Sequence, residues 1–424
     1  MAPWERRYYM RVTKSARTGC CGVLLAFGLQ LPAVPPPSPP GGQGVPQATT
    51  AARPAPRDVW APAWSHDLDL TGDLLLAASS DVIALAGPDT PLEVRRVSTG
   101  AVLWRHQSSN WQTLAAAGPL VLGVSGDHAY ALDAATGRTR WVTETTGASV
   151  RLVTDGRHLL MLSETDALLR DLDTGTPLWR VGLTAPPSAT AALGTTLVVI
   201  AQQDGRLVAI ERATGAVRWN VALAGAARGV AAEPPMVYAG LANGSFCAFD
   251  DRNGRERWCF ALRTPASGDP VVTDAVVRVA LLDNSLRSFN RLNGAMGSPI
   301  ALGHRPAAGP WQNDSAVFVA LTTGEFVVVD RQTGRTLHRL GVPGLTTPPL
   351  LERAAVSLDG RTLVSLTLTP GAQRRLTAYR LGPSQALPIL PKLPVVPGPR
   401  LTQLPAPVTP DLPATAAPSR QVPR

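Results

Sequence analysis

The residue types that do chemistry are sparse in this chain, and their spacing says more than their number. Six histidines, at 66, 106, 128, 158, 304 and 338, fall at unrelated places without a metal-ligand spacing, so solvated or structural roles are expected. No glycine-rich phosphate loop of specific form is present, and no serine stands in a nucleophile-elbow context. Cys247 and Cys259 flank Asn253 symmetrically. If the hairpin register pairs positions summing to 506, the two face each other and could oxidise to a cross-strand disulfide. A register one residue different sets Cys247 opposite Trp258 and leaves two small apolar side chains on opposite faces. Both pairings remain open at this stage. Side chains able to accept hydrogen bonds recur instead at a fixed place: Asp133, Asp171, Glu211, Asp250, Asn290 and Asp330 each lie four residues before a glycine. There a carboxylate or amide can accept from the free N–H groups of a tight turn, which is a structural task and not acid–base chemistry.

Those turns belong to the strongest signal in the sequence, an internal repeat. A turn ending in Thr-Gly, Asn-Gly or a close relative recurs at Gly100, Gly137, Gly175, Gly215, Gly254, Gly294 and Gly334, every 37 to 40 residues. Four residues after the first five glycines stands a tryptophan: Trp104, Trp141, Trp179, Trp219 and Trp258. Ser298 and His338 take that place in the last two repeats. Glycine tolerates the positive φ at the end of such a turn, and Thr or Asn suits the bend before it. Apolar runs at 207–210, 246–249 and 326–329 lead into the turns, and runs at 197–201 and 236–241 precede them. Each period of about 40 residues therefore holds about four short antiparallel strands, one blade of a propeller.

The pattern Ala-x-Asp-x-x-Thr-Gly-x-x-x-Trp resembles the tryptophan-docking motif of quinoprotein-like (PQQ-like) repeat β-propellers. Residues 208–219, with Ala209, Glu211, Thr214, Gly215 and Trp219, form a near-complete copy. The resemblance covers about residues 58–381 and implies an all-β fold of four-stranded blades. It also implies indoles packed between blades with their N–H groups on backbone carbonyls. Beyond Gly334 the chain has material for three strands, at 354–358, 362–368 and 375–381, and the segment 59–64 supplies a fourth. A blade shared by the two ends closes the ring, so eight blades are expected, with seven as the alternative. Trp60 is the candidate indole of that shared blade.

For function, the resemblance leads in two directions. Quinoprotein dehydrogenases carry a vicinal disulfide against the cofactor and a calcium beside a catalytic Asp. Here the only vicinal cysteines, Cys20 and Cys21, lie near the N-terminus. No cofactor, metal site or catalytic residue is therefore expected, and a small PQQ-dependent dehydrogenase is the alternative reading. The layout is similar to the BamB-type propellers of outer-membrane protein assembly, which implies a non-catalytic scaffold that binds a protein partner in the cell envelope. That family's partner-contacting Arg and Asp residues have no counterpart in 181–188 and 221–232, so no binding residues are carried over.

The ends fit an exported protein. A basic stretch from Arg6 to Arg17 precedes a short apolar run at 20–34, the form of an export signal and too short for a comfortable membrane span. The cysteines sit before or inside that run, which argues against a lipid anchor. Residues 35–57 and 382–424 are rich in proline and are expected to be disordered spacers around the propeller at 58–381. The net charge of +9 resides in these ends: 1–57 carry seven basic residues against one acidic, and 382–424 four against one. A neutral body argues against a nucleic-acid groove. The sequence thus predicts a monomeric envelope propeller, in the periplasm or at the outer face, without an integral span once the signal is removed.

Overall fold

The computed structural model describes residues 58–383, apart from 109, 146–148 and 190. The segments read as export signal, as linker and as all but the first two residues of the tail lie outside the described residues, as do Cys20 and Cys21. Thirty-two strands form eight antiparallel four-stranded sheets, and among the described residues there is no helix. Seven blades are continuous: blade 1 spans 75–106, blade 2 111–144, blade 3 151–182, blade 4 192–222, blade 5 227–261, blade 6 271–301 and blade 7 306–340. Blade 8 is shared. Its first three strands are Leu350–Val356, Thr362–Leu368 and Arg374–Pro383, and its fourth is Asp58–Leu68, antiparallel to the last of these. The eight-bladed closure is thus the one present.

The first strand of blade 8 begins and ends earlier than 354–358. Residues 357–361 turn instead, because side chains satisfy the bend: Ser357 Oγ accepts from Thr362 N at 3.0 Å, and Asp359 Oδ1 from Arg361 N at 3.0 Å. Gly360 supplies a positive φ of 59°. The third strand runs through Gly382 and Pro383, two residues into the proline-rich segment.

The core lies between blades. In Leu197–Ala201 all five side chains are buried, and successive residues point to opposite faces. Leu197, Val199 and Ala201 pack with Val237, Ala239 and Phe249 of blade 5. Val198 and Ile200 pack with Leu160, Leu169 and Trp179 of blade 3. An inner strand covered on both faces reads as an unbroken apolar run, which is why the sequence shows no alternation there. Outermost strands alternate instead: in Val217–Ala222 only Trp219 is buried.

Blade 6 departs from its neighbours. Gly297, Ser298 and Pro299 replace the Arg257, Trp258 and Cys259 of blade 5. Proline cannot donate to the ladder and glycine weakens a strand. The outer strand is accordingly reduced to Ile300–Ala301, with an isolated bridge at Met296.

Candidate functional site

The repeated feature is a joint between consecutive blades. The indole N–H of Trp104 donates to Ala134 O at 2.9 Å, that of Trp141 to Leu172 O at 2.9 Å, that of Trp179 to Arg212 O at 2.7 Å and that of Trp219 to Asp251 O at 2.8 Å. Each acceptor lies three residues before the glycine of the next blade's turn. The ring rests on that glycine: a Cβ at Gly137 would come within 2.8 Å of Trp104, and one at Gly215 within 2.7 Å of Trp179. Gly175, Gly254 and Gly294 stand in the same relation to Trp141, Trp219 and Trp258. Glycine is needed here twice over, for positive φ (74° at Gly137) and for the close approach of the ring.

The shared blade docks through Trp64 and not Trp60. Trp64 Nε1–H donates to Val97 O at 2.6 Å, and a Cβ on Gly100 would meet the Trp64 ring at 2.9 Å. A register shift between Pro62 and Trp64 sets the turn-facing position. Trp60 is buried edge-on to Phe318 of blade 7, with ring centroids 5.3 Å apart. A signal for this was present. From docking tryptophan to the next turn glycine the chain counts 33 to 36 residues in the other joints (Trp104 to Gly137, Trp258 to Gly294); Trp64 lies 36 before Gly100 and Trp60 lies 40.

Two joints are built differently. Trp258 lies over Gly294, yet its buried Nε1 has no acceptor. The equivalent carbonyl, Arg291 O, accepts from Tyr238 Oη–H at 3.0 Å. Burial pushes the Tyr238 phenol up to about 12, so it stays protonated as the donor. Between blades 6 and 7 no indole docks on the turn among the described residues, because exposed Ser298 holds its place. His338 of blade 7 needs no indole, since blade 8 has no turn between its third and fourth strands: the two chain ends meet there.

The side chains before the glycines cap their own turns. Asp133 Oδ1 accepts from Thr136 N at 3.0 Å and Thr136 Oγ1 at 2.8 Å, and Asp171 and Asp330 do the same with Thr174 and Thr333. The Thr136 hydroxyl and then Arg140 hold the Asp133 carboxyl below its ordinary value. For Asp330 the Thr333 amide is the leading cause. Two arginines that sequence reasoning passed over tie the hairpins between first and second strands: Arg212 Nη1 donates to Gly194 O at 2.8 Å, and Arg291 Nη2 to Glu233 O at 3.0 Å.

Cys247 lies directly opposite Cys259 and is joined to it, with an S–S distance of 2.02 Å. Glu256 is the third member of the one group of metal-capable side chains among the described residues. With both sulfurs in a disulfide, a carboxylate is all that the group offers an ion. The described histidines are dispersed: His106 packs against Trp111 and Tyr130, and His158 against Arg212. Three recesses cluster where blades 6, 7 and 8 meet, of about 500, 490 and 270 Å³. Gln312 and Leu358 line the two larger ones, and Arg331 lines the first and third.

These features define a class: an eight-bladed propeller whose consecutive blades are joined by indole-to-turn docking. A family model described as outer membrane protein assembly factor BamB matches residues 58–169, 90–237 and 226–298, more than half of the chain, and the chain belongs to that family. No curated protein matches it. Among solved structures, BamB from Moraxella catarrhalis is similar at 20% identity and a TM-score of 0.55, over 76% of this chain and 98% of that one. The computationally designed Ika8 protein matches at 19% identity and 0.59, over 73% and 98%. The C-terminal WD40 domain of Sif2 matches at 13% and 0.56, over 77% and 99%. At these identities the structural likeness is one of fold.

Proposed function

We propose that this protein is a non-catalytic, protein-binding scaffold of the cell envelope, exported through its N-terminal segment, with a role in outer-membrane protein assembly. Membership of the BamB family is the observation that carries the reading. The chemistry of the repeats supports it, because the carboxylates that recur through the chain are spent on turn amides and hydroxyls and are not left convergent in a recess. The propeller proper is assigned to 58–383, with the proline-rich ends as spacers outside it. Photo-crosslinking of the full chain in the native envelope, followed by identification of the captured protein, tests the role. Recovery of the outer-membrane assembly barrel protein is the expected result. Dye-linked dehydrogenase activity after reconstitution with PQQ and Ca²⁺ would overturn the scaffold reading.

A further inference from the structure

Six of the seven turn glycines have a side-chain donor from the preceding blade on the carbonyl three residues before them: five indoles and the Tyr238 hydroxyl. At the seventh, the turn of Gly334, Arg331 O receives no such donor among the described residues. The packing is slack as well. A Cβ on Gly334 would meet Ile300 Cδ1 at 3.4 Å and Arg278 Nη2 at 3.9 Å, where the other turns meet rings at 2.5–2.9 Å.

Arg278 comes from the second strand of blade 6, at the place Tyr238 holds in blade 5. Only 2% of it is exposed, and its Nε and Nη1 have no partner. Arg331, on the turn itself, also has a buried Nε without a partner. Neither guanidinium forms an ion pair with a described residue. Asp330, the carboxylate that attracts Arg278, accepts from Gln332 N at 3.0 Å and Thr333 N at 2.6 Å through Oδ1 and makes no bond to the guanidinium. A guanidinium withdrawn from water without an acceptor is strongly unfavourable, and a carboxylate that accepts from its N–H groups relieves it. Gly297 and Ser298 are exposed, half-buried Ile300 is the side chain that must move aside, and exposed Leu292 and Met296 belong to the same blade.

We propose that the seam between blades 6 and 7 takes a carboxylate carried by an acidic segment of a protein partner, entering beside Ser298 where six other seams hold an indole. The two unpaired guanidinium groups supply the charge complementarity. This rests on the protein-binding reading above.

Calorimetric titration of the full chain with a hexaglutamate peptide tests it, with hexaglutamine and sodium acetate as comparisons. Hexaglutamate is expected to bind roughly tenfold or more tightly than hexaglutamine. Arg278→Met and Ser298→Trp should each abolish that difference, the second by restoring an indole to the seam without loss of melting temperature. Equal binding of the two peptides, no binding of hexaglutamate, or undiminished binding by Ser298→Trp would overturn the site. Acetate binding as tightly as the peptide would reduce it to an adventitious ion only. If Arg278→Met does not fold, Ser298→Trp decides alone. In envelope crosslinking, the same partner captured by wild type and Ser298→Trp sinks the seam site only, whereas capture by neither removes the scaffold reading.

Discussion

At the scale of single residues, the joints separate two contributions of tryptophan, ring burial and the N–H bond. Trp219 has both, being buried and bonded to Asp251 O at 2.8 Å, whereas Trp258 is buried with no acceptor. Trp219→Ala should cost about 3–5 kcal/mol, the range for emptying a buried aromatic site. Conversion to phenylalanine removes the N–H and part of the ring. Trp219→Phe also strands Asp251 O, so it should cost about 1 kcal/mol more than Trp258→Phe, whose carbonyl keeps its bond from Tyr238. Urea unfolding of the four proteins measures this, and equal losses would show that the indole bond contributes nothing. The docking tryptophans were legible from their distance to the glycine before them. Tyr238 and Arg278 were not: each lies 56 residues before the turn glycine it reaches, and nothing in the local sequence ties a second strand to the turn of the next blade.

At the scale of the element, the turn between third and fourth strands combines a left-handed glycine with an accepting side chain. Gly126 also has positive φ, 61°, but nothing lies within 4 Å of where its Cβ would be. Gly126→Ala should therefore lose about 1 kcal/mol from backbone strain alone. Gly137→Ala adds a clash with the Trp104 ring and should lose distinctly more, in a denaturation series that compares the two. The capping aspartates tie stability to pH. Asp133, Asp171, Asp250 and Asp330 are all held below their ordinary value, led respectively by the Thr136 hydroxyl, the Thr174 amide, the Arg257 side chain and the Thr333 amide. Folded values below unfolded ones mean a stabilisation complete above the unfolded pKa and lost as pH falls through the folded one. Melting temperature should fall below about pH 4, and Asp→Asn at all four positions should flatten that fall, since an amide oxygen still caps but does not titrate. An unchanged acid limb in the quadruple variant would assign the loss to other groups.

At the scale of the whole molecule, closure depends on one strand. Asp58–Leu68 completes blade 8, and Trp64 on it docks onto blade 1, so one segment seals the ring to both neighbours. Removing 58–68 exposes the edge of Arg374–Pro383 and the Val97–Gly100 turn together. The truncated protein is expected to self-associate in size-exclusion chromatography and to lose cooperative melting. A monomer with wild-type melting would show that seven blades and three strands suffice. This dependence also explains the one blade without a docking turn, because the ends of the chain stand where its turn would be.

The seven repeats, their antiparallel hairpins and the glycine turns followed from the sequence alone, because each rests on spacing along one chain: a turn, its cap and its indole lie within nine residues. The partner of each indole lies on the next blade, where the sequence carries only the weaker signal of 33 to 36 residues from indole to glycine. Trp60 and Trp64 were separated by a register shift after Pro62 that composition does not announce. Cys247 and Cys259 show the same limit. Next to the turn the hairpin pairs Phe249 with Glu256, and continued without interruption it would set Cys247 opposite Trp258. A bulge between Ala248 and Phe249 shifts the register by one and brings the two cysteines face to face. The bulge leaves Trp258 level with Ala248 and buried against the next blade. The demand for that packing comes from the neighbouring sheet, so only the tertiary structure could decide it.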